Sequence, residues 1–545
     1  MTFRKSAGAA VTFAIAALMG ASGAEAASTA ATERSLTELR NTVVNLLQGL
    51  VERGVITREQ AEQMVKDAQD KAAEESRLAA AAEAEDAGAI RVPYVPEIVK
   101  EEIRKQVAAE LAPEVAKEVA ERAKDEGWGV PAALPDWARR VRISGDLRVR
   151  GQGDSFASDN IPNSYLDFLT VNDRGGIDRA GLSAFANTTE DRQRLRARLR
   201  LGVDAELGHG YSMGMRFTTG NLRDPVSTNQ TLGNTGARYQ FGIDQAWMRW
   251  YGQTDTARQS LALVAGRIPN PWQSTDLVWD QDLSFEGVSA NYRFNFSGDD
   301  TFRRNMFATV GAFPLEEVEL SSSDKWMYGA QLGVDWRFAG GSRLRAAAAL
   351  YDFANITGQR NALEDTRLDY TAPKFLQRGN SLFDIRNSAD PTANLFALMA
   401  EYRLANVTLQ QDWRLSERYR ISIIGDYVRN IGYDEEDIQE RTTFFVPERA
   451  EGYLLDFAVG ASDMQLAHAW RVTLGYRHLE RDAVLDAFTD SDFRLGGTDV
   501  EGYTFTLDYA LSPKNLLRMR YLSASEIDGA PFGVDVLQLD FNSQF

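Results

Sequence analysis

RQRLRARLRLGVDAEL, Arg192 to Leu207, carries arginine at 192, 194, 196, 198 and 200 and an apolar residue in most of the gaps. On an α-helix each step of two residues turns 200°, which smears the arginines around the axis. On a β-strand successive side chains point to opposite faces, so the same residues form a basic ladder behind an apolar one. Leu195, Ala197, Leu199, Leu201, Val203, Ala205 and Leu207 make that apolar ladder. The stretch reads as a strand, not as a nucleic-acid-binding helix.

The dyad pattern extends through the chain from Val141 to Phe545. Val141, Ile143, Leu147 and Val149 alternate with polar residues, as do Tyr328, Ala330, Leu332, Val334, Trp336 and Phe338. Such alternation is the signature of half-buried strands. Sixteen are expected, near 141–150, 194–207, 211–219, 243–251, 260–267, 285–295, 305–313, 327–338, 343–353, 395–411, 418–428, 452–460, 469–478, 502–510, 516–524 and 535–545. The joins alternate in length: Gly208-His209-Gly210, Ala339–Ser342, Arg414–Glu417 and Leu511–Asn515 are short, whereas Gly151–Gln193, Ala354–Asn394, Arg429–Glu451 and Leu479–Glu501 are long. An even strand count with short turns on one side and long loops on the other predicts an all-β transmembrane barrel of about 16 antiparallel strands.

The N-terminal region has a different character. Arg4 and Lys5, an apolar run from Ala7 to Leu18 and the Ala24-Glu25-Ala26 triplet form a secretory signal, residues 1–26. Residues 27–126 read as helical. Leu36, Leu39, Val43, Leu46 and Leu50 recur at three and four, Thr57-Arg58-Glu59-Gln60 resembles a capping box, and Val99, Ile103, Val107, Leu111, Val115 and Val119 form a narrow stripe. That stripe suits a coiled coil, with a single solvated spacer helix as the alternative. Residues 127–140, with Gly129, Pro131, Pro135 and two tryptophans, form a linker ending near a membrane interface; 141–545 is the barrel. The helical segment and both termini are then expected on the periplasmic side of a bacterial outer membrane.

The 545 residues include no cysteine, which removes disulfides and thiolate metal sites, and the net charge of −18 argues against nucleic acid as a partner. Segment 28–138 accounts for about −8 of it, with 14 Lys and Arg against 22 Asp and Glu. Overall charge therefore says little about the barrel interior.

If the apolar ladders face lipid, the polar ladders face the lumen. That set is Arg142, Arg148, Arg150, Arg194, Arg196, Arg198, Arg200, Arg216, Arg249, Arg293, Arg337, Arg420, Arg471, Arg477, Arg518 and Arg520, with Asp146, Asp204, Glu206, Asp335, Asp426 and Asp540 as fewer acidic partners. A lumen rich in guanidinium lowers the energy of anions inside it, unless the arginines are already paired across strands. The join GRIPNPWQSTDLVWDQD, Gly266–Asp282, is a candidate constriction loop. Folded inward, it would set Arg267, Asp276, Asp280 and Asp282 into the lumen, and a surface loop is the alternative.

Catalytic and metal signals are weak. Gly210-Tyr211-Ser212-Met213-Gly214 matches G-x-S-x-G, but it lies in an alternating strand where a nucleophile elbow needs a strand-to-helix turn. His209, His468 and His478 lack metal-ligand spacing, and Asp434–Asp437 reads as a solvated loop, with weak divalent-cation binding near lipopolysaccharide as the alternative. No enzyme activity, cofactor or metal is expected.

The motifs RVPYVPEIVKEEIRKQV, GWGVPAALPDWARRVRISGDLRVR, GMRFTTGNLRDPVSTNQTLGN, AGRIPNPW and GDYVRNIGYD, together with the opening stretch, resemble the putative porin family of proteobacterial outer membranes. The resemblance runs from about Arg91 to Phe545. It implies a pore-forming barrel with a periplasmic helical segment, and it assigns no substrate. LLQGLVERGVITREQAEQMV (46–65) is similar to short helical hairpins that serve as oligomerisation tails.

The expected protein is a passive diffusion channel for small polar solutes that favours anions. A channel specific for phosphate or organic anions, and an envelope tether touching the cell wall through the helical segment, are the alternatives. Expected partners are outer-membrane lipids and lipopolysaccharide, the solutes themselves and, by analogy with other sixteen-stranded barrels, two further copies in a homotrimer. Phe541 and Phe545, on the apolar face of the last strand, are expected to be read by the barrel assembly machinery.

Overall fold

The computed structural model describes residues 139–254, 258–296, 304–319 and 321–545. The signal peptide, the helical segment and nearly all of the linker fall outside the described residues. Alternating side chains build sixteen long strands: β1 (Val141–Phe156), β2 (Arg192–Gly208), β3 (Tyr211–Thr218), β5 (Gly242–Gln253), β6 (Gln259–Pro269), β7 (Ser284–Asn295), β8 (Arg304–Glu316), β9 (Lys325–Arg337), β10 (Arg343–Ala354), β13 (Arg403–Arg414), β14 (Tyr419–Asn430), β15 (Glu451–Ala461), β16 (Trp470–Leu479), β17 (Val500–Ser512), β18 (Asn515–Glu526) and β19 (Val534–Gln544). Each pairs antiparallel with its neighbours, and β19 pairs with β1, which closes the sheet. Closure leaves no strand edge unpaired, as a lipid environment requires.

The outward faces carry exposed Ile143, Leu147, Leu195, Leu199, Leu332, Leu455 and Leu539. Aromatic residues gather at both rims of this apolar band. Trp250, Trp336, Trp413 and Trp470 lie near the short turns, and Tyr328, Tyr427, Tyr453, Tyr503 and Tyr521 near the long loops. Girdles of this kind mark the two membrane interfaces. At the seam, Phe545 exchanges both backbone hydrogen bonds with Gly145 (3.0 and 3.3 Å), and its ring fills the space that a side chain at 145 would need.

One expected strand is divided. The 395–411 stretch yields the three-residue β12 (Phe396–Leu398) and then β13; β12 pairs with β11 (Leu382–Asp384) in a separate hairpin. Ala397, Leu398, Met399 and Ala400 are all buried in succession, whereas a wall strand buries every second residue. The two-residue β4 (Gln230–Thr231) joins the wall beside β2. Among the described residues the loops carry three α-helices, α1 (Phe168–Arg174), α2 (Ile177–Ala180) and α3 (Glu435–Thr442), besides short 3-10 turns. Asp434, expected in a solvated loop, caps α3 by accepting from the Glu436 and Asp437 amides (3.0 and 3.2 Å), with the other acids in the first turn where the helix dipole favours them.

The apolar core lies inside the barrel. Loops 270–283, 355–402 and 480–499 turn inward, and Trp272, Leu277 and Trp279 pack on Phe285, Phe313, Tyr351 and Phe353 of the wall. Trp279 meets Tyr351 and Phe285 edge-on, with both centroid distances 5.1 Å.

Candidate functional site: the lumen and its inward loops

The 270–283 loop crosses the lumen and is pinned at three places. The Gln273 amide N–H donates to Gln331 Oε1 on β9 (2.9 Å), Thr275 Oγ1 donates to Asp426 on β14 (2.5 Å), and Asp282 reaches Arg198 and Arg200 on β2 (3.3 and 3.4 Å). Asp282 also accepts from the backbone and hydroxyl of Thr228, so it ties the inward part of the 219–241 loop to the same wall. The 480–499 loop meets it from the other side, where the Ser491 amide donates to Asp280 Oδ2 (3.0 Å).

Between these loops and the wall remains a cavity of about 540 Å³, lined by eight arginines (148, 150, 198, 420, 471, 477, 518, 520) and seven aspartates (276, 280, 282, 456, 490, 492, 508). The opening ladder is largely neutralised. Arg194 pairs with Asp154 (2.6 Å), and Arg198 and Arg200 share Asp146 (both 2.8 Å) as well as Asp282. Arg150 is buried between Asp540 (2.7 Å) and Asp492 (2.9 Å), which links the β1–β19 seam to the 480–499 loop. Arg216 pairs with Asp244, Arg518 with Asp508 (2.6 Å), Arg520 with Asp492 (3.2 Å), and Arg477 with Asp490 (3.3 Å). Arg249 donates to Ser212 Oγ (3.1 Å) and lies 4.0 Å from Glu206.

The inward-facing Arg148, Arg196, Arg345, Arg420 and Arg471 make no carboxylate ion pair among the described residues. Arg148 donates to Asn229 (2.5 Å), Arg196 to Gln152 and Ser227 (3.2 and 3.4 Å), Arg345 to Gln410 (2.5 Å) and Arg471 to the Ala461 carbonyl (2.9 Å). Arg420 has no hydrogen-bond or ion-pair partner among the described residues, its buried Nε included. Arg142 lies opposite Asp204, Arg337 opposite Arg343 and Arg293 opposite Ser260, all three exposed toward barrel ends. Arg267 stands apart from the loop aspartates: at the end of β6 it pairs with Glu286 and donates to the Asp244 carbonyl (2.8 Å).

The loop carboxyls differ in charge state. Burial and then the neighbouring Asp490 carboxylate push Asp276 up to about 6. Burial together with Asp490, Asp282 and Asp276 holds Asp280 well above the usual carboxylate range. For Asp282 and Asp492 burial is outweighed, by Arg198, Arg200 and Arg148 for the first and Arg150 and Arg520 for the second, so both stay below that range.

Sequence reasoning passed over Asp490 and Asp492, and the wall acids Asp154, Asp244, Asp456 and Asp508. Asp244, Asp456 and Asp508 sit on inward positions of expected strands and are accessible to parity, whereas Asp154 lies in the part of β1 that continues past the expected end at Arg150. Nothing local marks a loop that will turn inward, so Asp490 and Asp492 carried no signal. Ser212 is a buried wall residue on β3, His468 Nδ1 meets the Tyr509 hydroxyl (2.9 Å), and His478 Nδ1 meets Glu501 (3.0 Å).

A closed sixteen-stranded wall, lipid-facing outside and charged inside, defines a β-barrel of the outer-membrane channel class. The chain belongs to the family described as "Putative porin", whose model matches residues 40–545. No curated protein matches the sequence. Among solved structures the chain is similar to OprB of Pseudomonas putida at high pH (12% identity, TM-score 0.41, covering 75% of this chain and 95% of that one). It is also similar to the outer membrane channel DcaP of Acinetobacter baumannii (13%, TM-score 0.35, 74% and 97%). OmpF of Salmonella typhi in complex with daunomycin gives 9%, TM-score 0.37, 74% and 97%.

Proposed function

We propose that the protein is an outer-membrane diffusion channel for small polar solutes whose lumen favours anions. The observation that carries this reading is the set of inward arginines without a carboxylate partner, Arg148, Arg196, Arg345, Arg420 and Arg471, beside a cavity with one more arginine than aspartate. The raised proton affinities of Asp276 and Asp280 widen that surplus as the pH falls, because a protonated carboxyl contributes no negative charge. In a wet, partly enclosed channel such a surplus lowers the energy of anions relative to cations.

The test is the reversal potential of the reconstituted protein in planar bilayers under a potassium chloride gradient. A chloride-selective sign supports the reading, a cation-selective sign refutes the anion preference, and a failure to form channels refutes the open pore. A channel specific for phosphate or organic anions is favoured by the loops that narrow the lumen, and it would show saturable currents.

The remaining features fit the same picture. Residues 1–26 would direct export, and 27–126 would lie in the periplasm as a coiled coil between two periplasmic termini. Phe541 and Phe545 would be presented to the assembly machinery. The lipid-facing wall would contact lipids and lipopolysaccharide, and three copies would form the trimer, which cross-linking in membranes tests.

A further inference from the structure

Arg420 on β14 and Arg471 on β16 stand at the same level of the lumen wall, each in register with Gly460 on the intervening β15. Adjacent strands lie about 4.8 Å apart, so the two backbones are separated by roughly 10 Å. The residue between them contributes no side chain to the gap.

The partners of the surrounding charges isolate this pair. Arg343 is taken by Asp335 (2.7 Å) and Arg518 by Asp508 (2.6 Å). The other nearby carboxylate, Asp412, accepts from Ser422 Oγ (2.6 Å) and Gln410 Nε2 (3.1 Å). Arg420 has no hydrogen-bond or ion-pair partner among the described residues, and Arg471 uses one N–H on the Ala461 carbonyl (2.9 Å). Around Arg471, Arg420 and Arg518 face Asp508 and Asp412. With Arg345 next to Asp412, four guanidiniums oppose two carboxylates, and two positive charges remain. Beside Arg471 on the same inward face is Thr473, directly opposite Thr506 of β17, and both threonines line the cavity.

We infer that Arg420 and Arg471, with the hydroxyls of Thr473 and Thr506, form a docking site for a compact oxyanion of charge near −2, such as inorganic phosphate or sulfate. The inference deepens the anion-favouring reading of the lumen and rests on it. Two guanidinium forks present paired N–H donors that match tetrahedral or planar oxyanions, and the hydroxyls donate to the remaining oxygens. The surplus of two charges equals that of one such ion. Chloride gains the field but cannot use the paired donors.

The test uses the full chain in planar bilayers, with chloride carrying the current and inorganic phosphate or sulfate added as blocker. Saturable block of the chloride current is expected. R420Q/R471Q should raise the half-blocking concentration at least about tenfold, the loss expected for charge-assisted hydrogen bonds. R420K/R471K keeps the charge and removes the forks, so it should preserve the sign of the reversal potential while losing most of the block. Block that does not saturate, or block unchanged in both double variants, overturns the site. Chloride selectivity without saturable block leaves the anion-favouring lumen standing and removes the site. Cation selectivity with block that R420Q/R471Q abolishes removes the general preference and keeps the site.

Discussion

Acidification should increase the anion preference of the channel between pH 7 and pH 5, through Asp276. Its carboxyl lines the cavity on the 270–283 loop, accepts from Gln281 Nε2 (3.0 Å) and titrates at about 6. About one-tenth of it is protonated at pH 7 and about nine-tenths at pH 5, whereas ordinary aspartates near 3.9 remain ionised there. Protonation turns eight arginines against seven aspartates into eight against six. A unit charge about 4 Å from a passing ion is worth ~1 kcal/mol at the dielectric constant of water, and more in the lumen. Losing about eight-tenths of that charge acts in opposite directions on chloride and potassium, so their permeability ratio should rise roughly fifteenfold, measured as reversal potential in about 0.1 M salt, where screening extends over roughly 10 Å. D276N should show the acid-type selectivity already at pH 7 with a flatter profile. The 270–283 loop stays docked across this window. Asp282 and Asp492 titrate below the usual range, so their stabilising charge is present above about pH 4 and lost only as pH falls through their lower folded values. A selectivity rise confined to below pH 4.5, a parental profile in D276N, or a shift toward cations on acidification would each refute this reasoning.

Three further outcomes follow from the packing. Arg150→Met leaves Asp540 and Asp492 buried without their shared cation, so the barrel should lose about 3–5 kcal/mol, read as a lower thermal midpoint in detergent. Trp279→Ala removes the ring that meets Tyr351, Phe285 and Phe488, at a cost of about 3–5 kcal/mol. The 270–283 loop should then become cleavable by protease and single-channel conductance should rise; unchanged conductance would mean that the loop does not narrow the path. Gly145→Val displaces the Phe545 ring at the seam, at about 1–3 kcal/mol, and Phe545→Ala should add little in that background, as a double-mutant cycle of folding stability would show.

The wall was legible because alternation is local. Fifteen of the sixteen expected strands coincide with observed ones, since a period of two assigns each residue a face before any partner is known. The 395–411 stretch misled because buried residues of an inward hairpin are as apolar as those facing lipid, and composition cannot distinguish the two. The inward ladder of RQRLRARLRLGVDAEL was equally readable; its pairing was not. Arg198 and Arg200 meet Asp282 from 82 or more residues away, through a loop whose course depends on aromatic packing inside the closed barrel.

By itself, then, the sequence determined strand count, the two faces of each strand and the alternation of turns and loops, because all of these follow from side-chain periodicity and chain length. Tertiary structure alone decided which of the inward arginines are neutralised and which stay free. That outcome depends on register and on where loops 270–283 and 480–499 bring their aspartates, and a charge acts through distance to its neighbours in space, not through its position along the chain.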